Sequence, residues 1–324
     1  MTRPRDLARL ALAWSIAAGT SLLPAASPQD RPDRPPYAQK SRPAPDQDRT
    51  RIRAEVNLVS VLVSVTDSHH RPAPDLAPDL FSVDEEGVAQ KIEFFEPETQ
   101  LPLDLVLMVD SSLSALKEMS NEQEAAAHFI RQVLRPGDRL AVYEFAENVT
   151  RLADFSDNVP QLQAAVRHIA PGAGTSIYDA VLLGARALNR RGSEHRRVIV
   201  LVTDAGETTS RSDFDSARKQ AILSEALLYT IVIRSIKGES GRNTAGEHAL
   251  ETITDSTGGA VFYPNSPQEL DAIFDRVDRE LRTQYRLSYY PHPRGPANTF
   301  RKIAVRVQGD YEVRHRKGYF TAPE

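Results

Sequence analysis

An aspartate and two alternate serines follow an apolar segment that begins at Leu103. The stretch LDLVLMVDSSLS has the composition of a buried strand up to Asp110, and Ser112 and Ser114 come directly after it. Ligands of an open parallel sheet bind outside the carboxyl ends of its strands. One carboxylate and two hydroxyls from a single turn are hard oxygen donors of the kind that Mg²⁺ or Mn²⁺ prefers. The pattern therefore predicts a divalent metal site in the loop that Asp110 opens.

Two further oxygen donors stand in corresponding places of the pattern. Thr175 follows the Gly-rich segment PGAG and precedes a helical pattern, and Asp204 ends the apolar segment RRVIVLVTD. Because the carboxyl ends of parallel strands meet at one edge of a sheet, we expect these loops to converge on that of Asp110. The predicted metal ligands are thus Asp110, Ser112, Ser114, Thr175 and Asp204.

The elements that must position these residues alternate between strand and helix over residues 101–282. Short apolar segments separate helical patterns near residues 120–134, 158–169, 177–190, 212–226, 247–256 and 267–282. This alternation predicts an α/β fold with a doubly wound, mostly parallel, Rossmann-like sheet and helices on both faces.

Both flanks of this region have a β pattern instead. Residues 51–100 contain VNLVSVLVSV and FSVDEEGVAQKIEFFE, and residues 283–324 contain QYRLSYY, RKIAVRVQ and YEVRHRKGYF. Neither flank is long enough to bury a core alone. We therefore predict that the two flanks pack together as one small antiparallel β sandwich, with the α/β domain of residues 101–282 inserted between them.

The N-terminal region has the layout of an export signal. Residues 1–27 carry three arginines, then an apolar segment, then small residues. This layout is typical of a secretory signal peptide, and the apolar segment is short for the alternative, a single membrane anchor. Residues 28–50 are rich in Pro, Asp and Arg without periodicity, which predicts a disordered linker. We expect an exported protein, periplasmic, secreted or at the cell surface, with no membrane span after signal cleavage.

Composition narrows the classes of function. The 324 residues carry a formal net charge of -4 and contain no cysteine. The sequence has no stripe of Lys and Arg of the kind that binds nucleic acid. Without cysteine it has neither disulfides nor thiolate sites. An exported chain of this composition must be stabilised by its core, by a metal, or by both.

The three motifs, in this order, resemble the von Willebrand factor type A (VWA) domain with its metal-ion-dependent adhesion site (MIDAS). DSSLS at 110–114, GAGTS around Thr175 and VTDAG around Asp204 carry the resemblance, which covers about residues 101–282. The flanking strands are similar to those of exported bacterial proteins described as VWFA-related acidobacterial domains.

The resemblance implies a role for each ligand. Ser112 and Ser114 would bind the metal directly, Thr175 directly or through water, and Asp110 and Asp204 would supply charge directly or through water. It also implies Mg²⁺, or Mn²⁺ or Ca²⁺, as the cofactor, and a protein partner that completes the coordination with an Asp or Glu carboxylate.

Two residues depart from the family pattern. Leu113 lies between the serines where the family commonly has glycine, and Ala205-Gly206 follows Asp204 in place of an immediate glycine. A Cβ restricts the backbone wherever a positive φ is needed.

The sequence leaves two hypotheses for the function. The first is a metal-dependent protein-binding or adhesion module without catalysis. The second is a structural or assembly scaffold at the cell surface with a vestigial metal site.

Enzyme functions find little support in the motifs. A phosphatase nucleophile at Asp110 needs Asp-x-Asp, and residue 112 is serine. A phospho-acceptor needs an acidic pair on an earlier strand of the sheet, and no α/β strand precedes this one. The chain has no G-x-S-x-G, G-x-x-x-x-G-K-[ST], H-E-x-x-H or G-x-G-x-x-G motif. We therefore predict no catalysis.

Overall fold

The computed structural model describes residues 58–97, 101–113, 119–192, 194–233 and 243–322. The predicted signal peptide at 1–27, the predicted linker at 28–50 and the candidate ligand Ser114 lie outside the described residues. Within these ranges, none of the helices combines the length and the apolar character needed to cross a bilayer.

Strands and helices alternate in the middle of the chain, and strands alone form its flanks. The strands are β1 (Val59–Thr66), β2 (Phe81–Glu85), β3 (Val88–Gln90), β4 (Ile92–Pro97), β5 (Leu103–Asp110), β6 (Arg139–Phe145), β7 (Val149–Ser156), β8 (Arg196–Thr203), β9 (Leu227–Val232), β10 (Val261–Phe262), β11 (Tyr285–Tyr289), β12 (Phe300–Val307), β13 (Glu312–His315) and β14 (Gly318–Phe320). The helices are α1 (Met119–Val133), α2 (Val159–Arg167), α3 (Ile177–Asn189), α4 (Phe214–Leu223), α5 (Thr244–Thr257) and α6 (Leu270–Leu281).

The central sheet has six strands in the order β10-β9-β8-β5-β6-β7. Every neighbouring pair is parallel except β6 and β7, which pair antiparallel at one edge. Strands β5 and β8 lie at the centre, so the loops that follow them leave the sheet side by side. The predicted mostly parallel α/β fold is confirmed.

Successive side chains of β5 point to opposite faces of the central sheet, so the strand contributes to the core on both faces. Leu105 and Leu107 pack on one face with Phe129 of α1 and Phe274 of α6. Met108, on the other face, belongs to the cluster that contains residues of α3, α4 and α5. Because both faces are covered, the strand is apolar at nearly every position, as is usual for parallel sheets.

The flanks form two further four-stranded sheets, β13-β1-β11-β4 and β14-β12-β2-β3. Each combines strands from both ends of the chain, and their inner faces share one core that includes Val61, Val83, Leu287 and Val305. The predicted antiparallel sandwich is confirmed. One detail differs, because the last predicted strand is divided into β13 and β14, which join different sheets.

Candidate metal site

Asp110 is the last residue of β5 and is fully buried. Its Oδ1 accepts a hydrogen bond of 2.9 Å from the Ser112 backbone N–H, and its Oδ2 accepts one of 2.7 Å from the Thr203 hydroxyl. Burial raises the pKa of the Asp110 carboxyl to about 6, these hydrogen bonds act in the opposite direction, and the negative charge of Asp204 adds to the rise. The carboxylate is thus held in place although its surroundings disfavour its charge.

Ser111 and Ser112, directly after β5, are held by backbone contacts to neighbours on both sides. The Ser111 N–H donates to the Phe145 carbonyl at the end of β6 at 2.9 Å, and the Ser111 carbonyl accepts from Gly172 N at 2.8 Å. Ser112 is 2% exposed and forms an isolated parallel bridge with Gly172. Ser111 and Ser112 therefore lie against the loop that carries Thr175.

Leu113 projects from this loop, with 64% of its surface exposed. It is not among the described residues that have a positive φ. Glycine is therefore not required at this position by backbone geometry, and the departure from the family pattern changes the surface beside the site instead. Ser114, the next predicted ligand, lies outside the described residues.

Thr175 is 3% exposed and lies in the loop before α3. The preceding Gly174 has a φ of 70°, and a Cβ there would approach a Thr209 side-chain carbon to 2.7 Å, so glycine is required. The Thr175 N–H donates to the Thr208 hydroxyl at 2.9 Å, and its carbonyl accepts from Thr208 N and Thr209 N. These bonds join the Thr175 loop to the loop after β8.

Asp204 begins the loop after β8 and is half-buried, and its Oδ1 accepts from Gly206 N at 3.0 Å. Ala205 has a φ of 65°, in the left-handed region that disfavours a Cβ. It is fully buried, and its carbonyl packs so close to α5 that a Cβ on Gly246 would lie 2.1 Å from it. The backbone strain expected from the missing glycine is therefore present at Ala205.

Glu207 braces the same loop against α3. Its Oε2 accepts hydrogen bonds from Ile177 N at 2.7 Å and Tyr178 N at 3.2 Å, which are N–H groups of the first turn of the helix. Its carboxylate also accepts from the Ser210 N–H and hydroxyl. A carboxylate at a helix N-terminus is favoured by the helix dipole and by the free N–H groups.

Residues 105–207 match the profile of the von Willebrand factor type A domain. The match begins in β5 and contains the loops of Asp110, Thr175 and Asp204. The chain contains a von Willebrand factor type A domain. Domains of this family are mostly interaction modules, and many bind a divalent metal.

Two mammalian proteins share part of the sequence. Calcium-activated chloride channel regulator 1 of Bos taurus is 28% identical over 185 residues, which cover 53% of this chain and 18% of that protein. Calcium-activated chloride channel regulator 3A-1 of Mus musculus matches with the same identity and coverage. The chain thus spans less than a fifth of the length of these relatives.

Solved structures resemble the type A domain at low identity. The von Willebrand factor type A protein from Catenulispora acidiphila has a TM-score of 0.49 and 12% identity, over 83% of this chain and 75% of that one. BatB from Bacteroides thetaiotaomicron, described as a conserved hypothetical protein, has a TM-score of 0.45 and 16% identity, over 56% and 100% of the two chains.

The charges of the type A domain's candidate site fit a divalent cation. The negative charge of Asp204 acts on Asp110 as a like charge. The hydroxyl of the neighbouring Ser176 is buried without a hydrogen-bond partner in that part of the chain. No group of three or more His, Cys, Asp or Glu side chains suited to a metal occurs among the described residues. Any ion here would therefore rely on hydroxyl oxygens as well as carboxylates.

Thr203 and Glu207 are site residues that the motifs did not single out. Thr203 positions the Asp110 carboxylate, and Glu207 ties the Asp204 loop to the start of α3. The available signal was their place in the chain: Thr203 directly precedes Asp204, and Glu207 belongs to the polar run after it.

Proposed function

We propose that this protein is an exported, metal-dependent protein-binding module. Asp110, Ser112, Ser114, Thr175 and Asp204 hold Mg²⁺, or alternatively Mn²⁺ or Ca²⁺, at the carboxyl edge of the central sheet. The bound ion supplies an open coordination position for an Asp or Glu carboxylate of the partner. The chain's own part is to hold the oxygen donors in place, and it performs no catalysis.

The observation that carries the proposal is the buried, fixed carboxylate of Asp110. A carboxyl group with 0% exposure and a pKa raised to about 6 is a costly feature in a fold. It lies beside a second aspartate, Asp204, and two nearly buried hydroxyl residues, Ser112 and Thr203. A divalent cation would offset the like charges, and stability alone gives no reason to keep them.

The organisation of the chain in this proposal follows the sequence. Residues 1–27 direct export, residues 28–50 act as a linker, and residues 101–282 form the type A domain between two β segments at 51–100 and 283–324. Export places the binding edge in the periplasm, outside the cell or at its surface, where a protein partner would reach it.

A second candidate function is a scaffold whose metal site is vestigial. Ala205 favours it, because a left-handed, fully buried alanine strains the loop that carries Asp204. The exposed Leu113 also favours it, since an apolar side chain beside the site suits contact between proteins without an ion.

Metal-dependent capture of acidic peptides separates the two functions. The immobilised chain would be exposed to a pool of peptides that each carry one Asp or Glu, and to a matched pool with Asn or Gln, in Mg²⁺ or in EDTA. The binding-module proposal predicts enrichment of the acidic pool in Mg²⁺ alone, and loss of that enrichment in Thr175→Val.

The control is Thr150→Val, which changes an exposed threonine on β7. It should capture the acidic pool as the parent does. Equal capture in Mg²⁺ and EDTA, or equal capture by the Thr175 variant, would contradict the metal-dependent function and favour the scaffold.

A further inference from the structure

A cleft of about 270 Å³ opens at the amino ends of the parallel strands. Its walls are the start of β8, the turn between α4 and β9, and the sandwich strands β1 and β11. The candidate metal site lies at the carboxyl ends of the same strands, so the length of the sheet separates the two. The cleft is therefore a distinct place in the molecule.

Positive charge gathers around this cleft. The side chains of four arginines and one glutamate line it: Arg196, Arg197, Arg286, Arg316 and Glu225. Arg316 pairs with Glu225 at 2.6 Å, and Arg286 pairs with Glu96 of the neighbouring strand β4. Arg196 is buried, and its guanidinium donates to the backbone carbonyls of Leu101 and Leu281 and to Oε1 of Gln284. Arg197 is the remaining arginine of the cleft.

Arg197 makes no ion pair with a carboxylate in the described part of the chain. Its guanidinium donates instead to backbone carbonyls, to Ser224 at 2.9 Å and to Arg191 at 3.0 Å. Carbonyl contacts fix the orientation of the guanidinium without neutralising it. A fixed, uncompensated guanidinium at a cleft is a recognition group for an anion.

Two N–H groups beside the cleft are buried without a hydrogen-bond partner among the described residues: Nε of Arg197 and Nε of Arg316. The Arg316 side chain is 11% exposed, so water reaches it poorly. Buried donors without an acceptor are unfavourable and rare in folded proteins. A carboxylate in the cleft would match the fork geometry of a guanidinium.

The remaining wall of the cleft is apolar. Leu62 of β1, Ile222 of α4 and Leu227 of β9 contribute to it, together with Leu101 and Ala226. Sites for drug-sized ligands have volumes of roughly 300–1,000 Å³, so this cleft suits a smaller group. The lining thus combines one anion contact with a compact apolar surface.

We propose that this cleft binds a carboxylate attached to a compact apolar group, with Arg197 as the principal anion contact. The carboxylate belongs either to a free organic acid or to a peptide in which an acidic residue adjoins an apolar one. The site requires no metal, and it is independent of the function proposed for the opposite edge of the sheet.

Calorimetric titration of the purified chain with two probes tests the site. 4-Methylpentanoate represents the free acid, and an acetylated, amidated peptide Leu-Glu-Leu represents the peptide. Each has an uncharged match, 4-methylpentanamide or the peptide with Gln. We expect saturable binding of at least one acid in the presence of EDTA, about tenfold or more tighter than that of its uncharged match.

Variants locate the binding. Arg197→Gln should weaken it about tenfold or more, and Arg294→Gln, at an exposed arginine away from the cleft, should leave it unchanged. Ser60→Trp places a bulky ring at the cleft from an exposed position and keeps every guanidinium. It should therefore also abolish binding. This variant tests the site if Arg197→Gln fails to fold. Equal affinity for acid and uncharged match, parent-like binding by both cleft variants, or no saturation by either acid would overturn the proposal.

Discussion

The Thr203 hydroxyl donates a hydrogen bond of 2.7 Å to Oδ2 of Asp110, so the last residues of two neighbouring parallel strands are joined at the candidate site. The same hydroxyl oxygen accepts from Ala205 N at 3.1 Å. One side chain therefore holds both the buried carboxylate and the strained backbone of the Asp204 loop.

Replacing Thr203 by valine removes the hydroxyl and keeps the shape. The Asp110 carboxylate and the Ala205 N–H each lose a partner, and buried groups left without partners cost about 1–3 kcal/mol of unfolding free energy. Denaturant unfolding at pH 7.5 in EDTA measures this loss. Thr203→Ser retains the hydroxyl and should stay within about 1 kcal/mol of the parent, since it lacks only a methyl group. Equal losses in the two variants would show that the methyl group matters more than the hydrogen bonds.

Asp110 should make the metal-free protein less stable as the pH rises. Its pKa is about 6 in the folded state against 3.8 for an unperturbed aspartate, so between these values the unfolded chain ionises first and stability falls with pH. Asp110→Asn removes this dependence. Since one pKa unit corresponds to 1.36 kcal/mol, the variant should gain up to about 3 kcal/mol over the parent at pH 7.5 in EDTA, and little near pH 4.

The matched control for this pH effect is Asp157→Asn, at an exposed aspartate before α2. Its unfolding free energy should follow that of the parent across the pH range. The raised pKa would be contradicted if Asp110→Asn were less stable than the parent at pH 7.5, by at least as much as it is at pH 4.

Ala205 should tolerate glycine better than an ordinary buried alanine does. Its φ of 65° favours glycine, and the relief of about 1 kcal/mol offsets the lost burial of a methyl group, about 0.8 kcal/mol. At Ala221, which is equally buried but lies inside α4, glycine loses helix propensity as well. Thermal unfolding should therefore rank Ala205→Gly near the parent and Ala221→Gly below it by about 1–2 kcal/mol. Equal destabilisation would show that the left-handed backbone carries no strain.

Glu207→Gln should loosen the start of α3 and the Thr175 loop. The substitution keeps an acceptor but removes the charge that faces Ile177 N and Tyr178 N, and such helix-terminal charges contribute about 0.3–2 kcal/mol. Hydrogen exchange of the amides in residues 174–180 should become faster. Glu147→Gln, at an exposed residue of the loop between β6 and β7, provides the comparison. Unchanged exchange in the Glu207 variant would mean that the charge of Glu207 does not stabilise the start of α3.

Much of the fold follows from local pattern. The buried runs that end at Asp110 and Asp204 have the continuous apolar character of strands covered on both faces, so their ends could be located from the sequence. The joint sandwich also followed, because neither β flank is large enough to bury its own apolar face.

The contacts between elements could not be predicted from local sequence pattern. Thr203 reaches Asp110 because Val109 pairs with Val202, and sequence alone does not give the register between strands that are distant in the chain. Glu207 caps a helix that begins 30 residues earlier, in another loop. The arginine-lined cleft depends on how the sandwich packs against the amino ends of the sheet, for which the chain has no local signal.

Titration of Mg²⁺ into the metal-stripped chain at pH 7.5, with Asp110→Asn and Asp157→Asn measured alongside, determines whether the end of β5 binds a divalent ion. We expect saturable binding of one ion by the parent and by Asp157→Asn, and none by Asp110→Asn even though that variant is at least as stable as the parent. Parent-like affinity in Asp110→Asn, or no saturable binding by the parent with Mg²⁺, Mn²⁺ or Ca²⁺, would contradict a metal site at the end of β5.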